Sequence, residues 1–300
     1  MEGLLTRLER GDVIVGDGAW GTMLMARGLP AGQPPEWFAL HRPEILTEIA
    51  ELYLEAGAEI VTTDTFGASS LRLEAHGLAG EAGRINREAV VAVRAAVHDR
   101  ALVSASVGPT GRLLEPAGDA RREQVKSSFA EQIRALAEAG ADIICVETMT
   151  DLSEATAAVE AAREVAPGLP VIATMTFRRT PRGFFTMMGT SIAQAAAGLE
   201  AAGAHAIGSN CGNGVAEMIA IAMELARQTR LPLAVRPNAG LPEQRDGALF
   251  YPEGPEALAA GAVELANQGV RVLGGCCGTS PDHIRAIRKA TDARRQGVVG

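Results

Sequence analysis

Eight short apolar runs, each followed by a helical stretch, recur from one end of the chain to the other. The runs fall at residues 13–15, 59–63, 101–106, 142–146, 170–174, 204–207, 231–235 and 270–273. Helices are expected at 43–55, 81–98, 121–139, 151–165, 191–202, 215–228, 255–267 and 281–290. The runs are continuously apolar rather than alternating, as strands buried on both faces of a parallel sheet are. Pro43 suits the first turn of a helix and Asp151 an N-cap. Glu55-Ala56-Gly57-Ala58, Glu138-Ala139-Gly140-Ala141 and Ala201-Ala202-Gly203-Ala204 each place a capping glycine before a strand, and Asn267-Gln268-Gly269-Val270 is a looser copy. Eight such units predict a single-domain (β/α)8 TIM barrel spanning 1–300, with a doubly wound open sheet as the alternative. No linker or composition shift marks a second domain.

A net charge of -8 argues against nucleic acid and anionic membrane as partners. No 18-residue apolar run offers a membrane span, and residues 1–11 mix charges with leucines unlike a signal peptide. Four cysteines are too few for a disulfide scaffold, so a cytoplasmic setting with reduced thiols is expected.

In a barrel, function sits where strands end. Those ends carry Asp17, Asp64 with Thr65, Glu147, Cys211, Asn238, and Cys276 with Cys277. The adjacent cysteines lie in Gly274-Gly275-Cys276-Cys277-Gly278, and Cys211 lies in Gly208-Ser209-Asn210-Cys211-Gly212. Adjacent cysteines make strained disulfides. Flanking glycines let the backbone turn so that both sulfurs face one point. Three thiolates at one point describe a zinc site with one coordination position open. Such a centre activates water poorly but holds an incoming thiol as thiolate, which points to alkyl transfer onto a thiol. Asp17 and Glu147 would then bind the ammonium of an amino-acid thiol.

Other readings compete. Cys145 lies inside an apolar strand and reads as core filling. The five histidines show no zinc-hydrolase spacing. Gly16-Asp17-Gly18-Ala19-Trp20-Gly21 has the letters of a dinucleotide fingerprint, but a Pro- and Gly-rich loop is expected where a helix should begin, which discounts a nucleotide site. A redox pair at Cys276 and Cys277, or a non-enzymatic zinc-binding module that serves a partner protein, are the rival functions.

The segments Asp17-Gly18-Ala19-Trp20-Gly21-Thr22-Met23, Thr63-Asp64-Thr65-Phe66, Val146-Glu147-Thr148, Asn210-Cys211-Gly212, Pro237-Asn238-Ala239-Gly240-Leu241-Pro242 and Gly274-Gly275-Cys276-Cys277-Gly278 together resemble the homocysteine S-methyltransferases. The likeness is closest to the homocysteine-binding domain of cobalamin-dependent methionine synthases. It implies a TIM barrel, zinc on Cys211, Cys276 and Cys277, and homocysteine as the fourth ligand. It also implies Asp17 and Glu147 on the homocysteine ammonium and backbone near Ala19 and Trp20 by its carboxylate. Asn238 is expected in the fourth zinc position when the acceptor is absent. Thr148 and Gly67 stand where betaine-using members carry tyrosines, which disfavours an aromatic cage. A methylcorrinoid such as methylcobalamin, brought by a separate protein, is therefore the expected donor, with S-methylmethionine the alternative.

Overall fold

The computed structural model describes residues 2–245 and 248–297; the other positions of the expected 1–300 domain lie outside the described residues. Eight parallel strands form the barrel: β1 (Ile14–Val15), β2 (Ile60–Thr62), β3 (Leu102–Val107), β4 (Ile143–Met149), β5 (Val171–Met175), β6 (Ala206–Asn210), β7 (Leu233–Arg236) and β8 (Val270–Leu273). Each pairs with its sequence neighbour, and β8 returns to β1 with Ile14 opposite Val272. The Gly16–Ile60 bridge and the Asp17 N–H on the Ile60 carbonyl (3.0 Å) join β1 to β2 and complete the ring. This is the expected (β/α)8 barrel, not the open sheet.

Helices at Pro43–Glu55, Val215–Gln228 and Pro255–Asn267 match the sequence expectation at both ends. Asp151 caps its helix by accepting from the Ser153 and Glu154 N–H groups, and Ser191 forms a capping box with Gln194. Several short elements escaped the pattern. Leu4–Glu9 is helical, and so is Gly21–Ala26, directly behind the Gly-x-Gly turn. A helix therefore does begin where a loop was expected, but it lasts only six residues, far short of the helix that follows a dinucleotide loop. Two hairpins, Arg178–Thr180 with Gly183–Phe185 and Glu243–Arg245 with Ala248–Phe250, extend the loops after β5 and β7.

The interior is layered. Ile14, Ile60, Leu102, Ile143, Cys145, Ile172, Ala206, Ala234 and Val272 fill the lower barrel, and Leu4 and Leu8 close its floor. Cys145 is thus core filling. Alternate residues face inward along a strand. Continuing upward by that rule, the inward positions turn polar: Thr62, Ser104 and Ser106, Glu147, Thr174, Asn210 and Arg236. Among the described residues, no helix is long and apolar enough to cross a membrane.

The β6–β7 contact is tight. A Cβ on Gly208 would stand 1.7 Å from the Ala234 carbonyl oxygen, a backbone atom that cannot swing aside. Gly208→Ala is expected to cost about 3 kcal/mol or to abolish folding, read from the urea midpoint and soluble yield.

Candidate active site at the C-terminal barrel mouth

A cavity of about 660 Å³ opens at the C-terminal ends of the strands. Its wall includes Cys211, Cys276, Cys277, Glu147, Arg236 and Trp20. The three sulfurs lie within 4.8 Å of one another, and Cys211 Sγ is 3.7 Å from Cys277 Sγ. Two sulfurs at ~2.3 Å from a tetrahedral zinc stand about 3.8 Å apart, so these thiols fit such an ion. As free thiols they resist ionisation. Mutual hydrogen bonds pulling both ways, together with burial, push Cys211 up to about 11 and Cys276 and Cys277 each up to about 12. A metal would have to displace those protons.

The backbone brings the sulfurs together by constraint. Cys211 follows β6 with φ +61°, a left-handed conformation that side chains disfavour. Thr148, in the irregular last part of β4, has φ +59°. Asn210 ties the two turns: its Oδ1 accepts from the Thr148 N–H (2.8 Å) and Thr174 Oγ1 (2.7 Å), while its Nδ2 donates to Thr148 Oγ1 (2.7 Å) and points at Cys276 Sγ (3.8 Å). On the other side the Cys276 N–H donates to the Pro237 carbonyl (2.8 Å) and the Ala239 N–H to the Cys277 carbonyl (3.0 Å). The glycine before Cys276 is required by crowding: a Cβ on Gly275 would stand 2.3 Å from Thr279 Oγ1. Gly278, after Cys277, has φ +80°, and its Cβ would strike the Tyr251 ring.

Asp17 and Glu147 differ in what they face. Asp17 is fully buried and does not line the cavity. Its Oδ1 accepts from Arg236 Nη2 (2.7 Å) and Thr62 Oγ1 (2.8 Å), and its Oδ2 from Trp20 Nε1 (2.7 Å) and the Thr62 N–H (2.7 Å). Glu147 does line the cavity. Ser106 donates to its Oε1, and Arg236 Nη1 reaches its Oε2 at 3.4 Å. Burial works against charge on Arg236, but the two carboxylates outweigh it and hold the guanidinium protonated. The Ala19 N–H, expected near a substrate carboxylate, donates to Thr279 Oγ1 (3.0 Å). Asn238 is buried between the two cysteine loops, its N–H on the Asn213 carbonyl (2.9 Å). Its Oδ1 has no hydrogen-bond partner among the described residues, and its side chain does not line the cavity.

Sequence reading missed Arg236, because the strand was ended at Val235. The signal was parity: Ala234 points inward, so Arg236 must too. It also missed Tyr251, which lines the cavity from the loop after β7. His205 lies at the opposite end of β6 from the cysteines, accepting from the Val171 N–H (2.9 Å).

A second acidic pair, Glu36 and Asp64, lines the cavity, and Asp64 Oδ2 has no hydrogen-bond partner among the described residues. Burial raises both; Glu36 adds to the rise at Asp64, while hydrogen bonds from the Glu36 and Gly67 N–H groups oppose the rise at Glu36. An acid raised on folding binds more protons folded than unfolded, so its stabilising effect is complete below the unfolded value and is lost as pH rises through the folded one. The melting temperature should therefore fall as pH climbs from about 4 through neutrality, and Asp64→Asn should flatten that slope. Thermal scans of both proteins from pH 5 to 9 check this; parallel slopes would refute it.

Comparison with known proteins follows the same lines. A profile of the family described as homocysteine S-methyltransferase matches residues 14–291. Methionine synthases of Mycobacterium leprae (strain TN) and Mycobacterium tuberculosis (strain ATCC 25618 / H37Rv) are each 34% identical, over 96% and 93% of this chain. The chain spans about a quarter of the length of these curated relatives, 25% and 24%. The metallated form of the homocysteine methyltransferase MmuM from Escherichia coli superposes with a TM-score of 0.79 at 26% identity, covering 95% of this chain and 98% of that one.

Proposed function

The chain belongs to the homocysteine S-methyltransferase family, and on that premise we propose that its barrel binds homocysteine and presents its sulfur to a methyl donor. The observation that carries this reading is the meeting of Cys211, Cys276 and Cys277 on the wall that also holds Glu147. Zinc on those three sulfurs supplies one thing when bound: it keeps an incoming thiol as thiolate at neutral pH, where a free thiol with pKa about 8.5 is mostly protonated. A reducing, cytoplasmic setting would keep the three cysteines available as ligands.

The remaining work falls to the chain. Glu147, oriented by Ser106, offers a carboxylate to the homocysteine ammonium, with Asp17 adding negative field from behind. Ala19 and Trp20 wall the cavity and fix the acceptor laterally. Asn210 holds the Cys211 and Thr148 turns in register. Asn238 Oδ1, which has no hydrogen-bond donor among the described residues, would have to turn from its buried position toward the sulfurs to serve as the fourth ligand when no acceptor thiol is bound. In the transfer, a sulfur lone pair forms the new S–C bond and the donor keeps the electron pair of the bond that breaks.

The donor proposed is a methylcorrinoid carried by a separate protein. In support, Met25, Phe66, Leu113, Met187, Met188 and Leu241 stand exposed in segments following barrel strands, an apolar rim suited to a large partner. One observation favours a small onium donor such as S-methylmethionine instead: Trp20, Phe66 and Tyr251 all line the cavity, and aromatic faces attract cations.

Metal-loaded protein should convert homocysteine to methionine with methylcobalamin; product from S-methylmethionine alone would select the onium reading. Metal bound without turnover from either would leave a binding module. Cys211→Ala should lose metal and at least 100-fold of activity while remaining folded, and Asn210→Ala should weaken metal binding about 10- to 100-fold. Metal content by mass spectrometry and circular dichroism on the same samples check both.

A further inference from the structure

Of the charged groups at the head of the barrel, a ligand can touch Glu147 and Arg236 but not Asp17, which is sealed behind them. Three edges of the Arg236 guanidinium are committed inward: Nε to the Gly275 carbonyl (3.2 Å), and Nη2 to Asp17 Oδ1 (2.7 Å) and Thr62 Oγ1 (3.4 Å). Nη1 makes one contact among the described residues, the long 3.4 Å approach to Glu147 Oε2. The cavity wall therefore displays a cation and an anion side by side, loosely paired.

That spacing matches one kind of ligand. In an α-amino acid the ammonium nitrogen and a carboxylate oxygen are separated by roughly 3 Å, as bond lengths of about 1.5, 1.5 and 1.2 Å dictate. A zwitterion laid antiparallel against the wall puts its ammonium on Glu147 Oε2 and its carboxylate on Arg236 Nη1. Both contacts are charge-assisted, and the planar guanidinium suits a carboxylate. Half of the alternative backbone anchor is taken, since the Ala19 N–H is already given to Thr279 Oγ1.

We propose that Arg236 is the carboxylate anchor of the acceptor site and that, with Glu147, it restricts the site to α-amino-acid thiols. Asp17 then touches no part of the ligand and holds the guanidinium in place. The inference rests on the acceptor reading above and adds to it the residue that selects among thiols.

The test compares three thiols on metal-loaded protein by calorimetry: homocysteine, 3-mercaptopropylamine, which lacks the carboxylate, and 4-mercaptobutyrate, which lacks the ammonium. The wild-type protein should prefer homocysteine to each truncated thiol by tenfold or more, on the order expected for a charged hydrogen bond. Arg236→Gln should bring homocysteine and 3-mercaptopropylamine to within about threefold of each other while the bias against 4-mercaptobutyrate persists through Glu147. If Arg236→Gln fails to fold because Asp17 loses its buried partner, Arg236→Lys carries the test, with the same ratio falling at least about threefold. An unchanged ratio, or an equal loss for all three thiols, would overturn the role of Arg236. Failure of the wild-type protein to bind homocysteine would overturn the acceptor reading and this inference with it.

Discussion

A closed barrel admits only every second side chain of each strand to its interior, and that geometry governs the rest of the molecule. The lower positions are hydrocarbon, with Leu4 and Leu8 closing the floor. The next positions on the same strands are Thr62, Ser106, Glu147, Asn210 and Arg236. Core and site are therefore consecutive storeys of one structure. Charges in the upper storey are largely withdrawn from bulk water and must find partners. The Asp17–Arg236–Glu147 chain, joining the ends of β1, β7 and β4, meets that requirement. Its one surplus negative charge is left on the carboxylate that faces the cavity.

The architecture was legible because strands buried on both faces and helices with capping glycines announce themselves locally. What escaped were elements stabilised by tertiary contact: Leu4–Glu9, held by the barrel floor, and the hairpins after β5 and β7, which need no strong local propensity to be pinned between longer elements. The cysteine cluster was legible because its residues are rare and their context specific. Asp17 shows the limit. Its position at a strand end marks it as part of the site, but whether its oxygens face a ligand depends on Arg236, more than 200 residues away in the chain.

The thiols are held by strain and hydrogen bonding together. Cys211 and Thr148 adopt left-handed backbone conformations that are costly in isolation, and Asn210, the residue before Cys211, bonds to Thr148 and approaches Cys276. A site assembled this way has its ligands arranged before anything binds, so little ordering remains to oppose binding.

The seam between β1 and β8 bears on how the molecule is made. Ile14 finds its partner Val272 only after nearly the whole chain has been synthesised. Contacts of such sequence separation form late, because a long loop must be closed before any contact rewards it. Asp17 lies on one side of that seam and Cys276 on the other, joined where the Gly275 N–H meets the Asp17 carbonyl (2.9 Å). The thiol cluster thus stands beside the seam, and whatever loosens the join of the two chain ends also loosens the loop that carries Cys276 and Cys277.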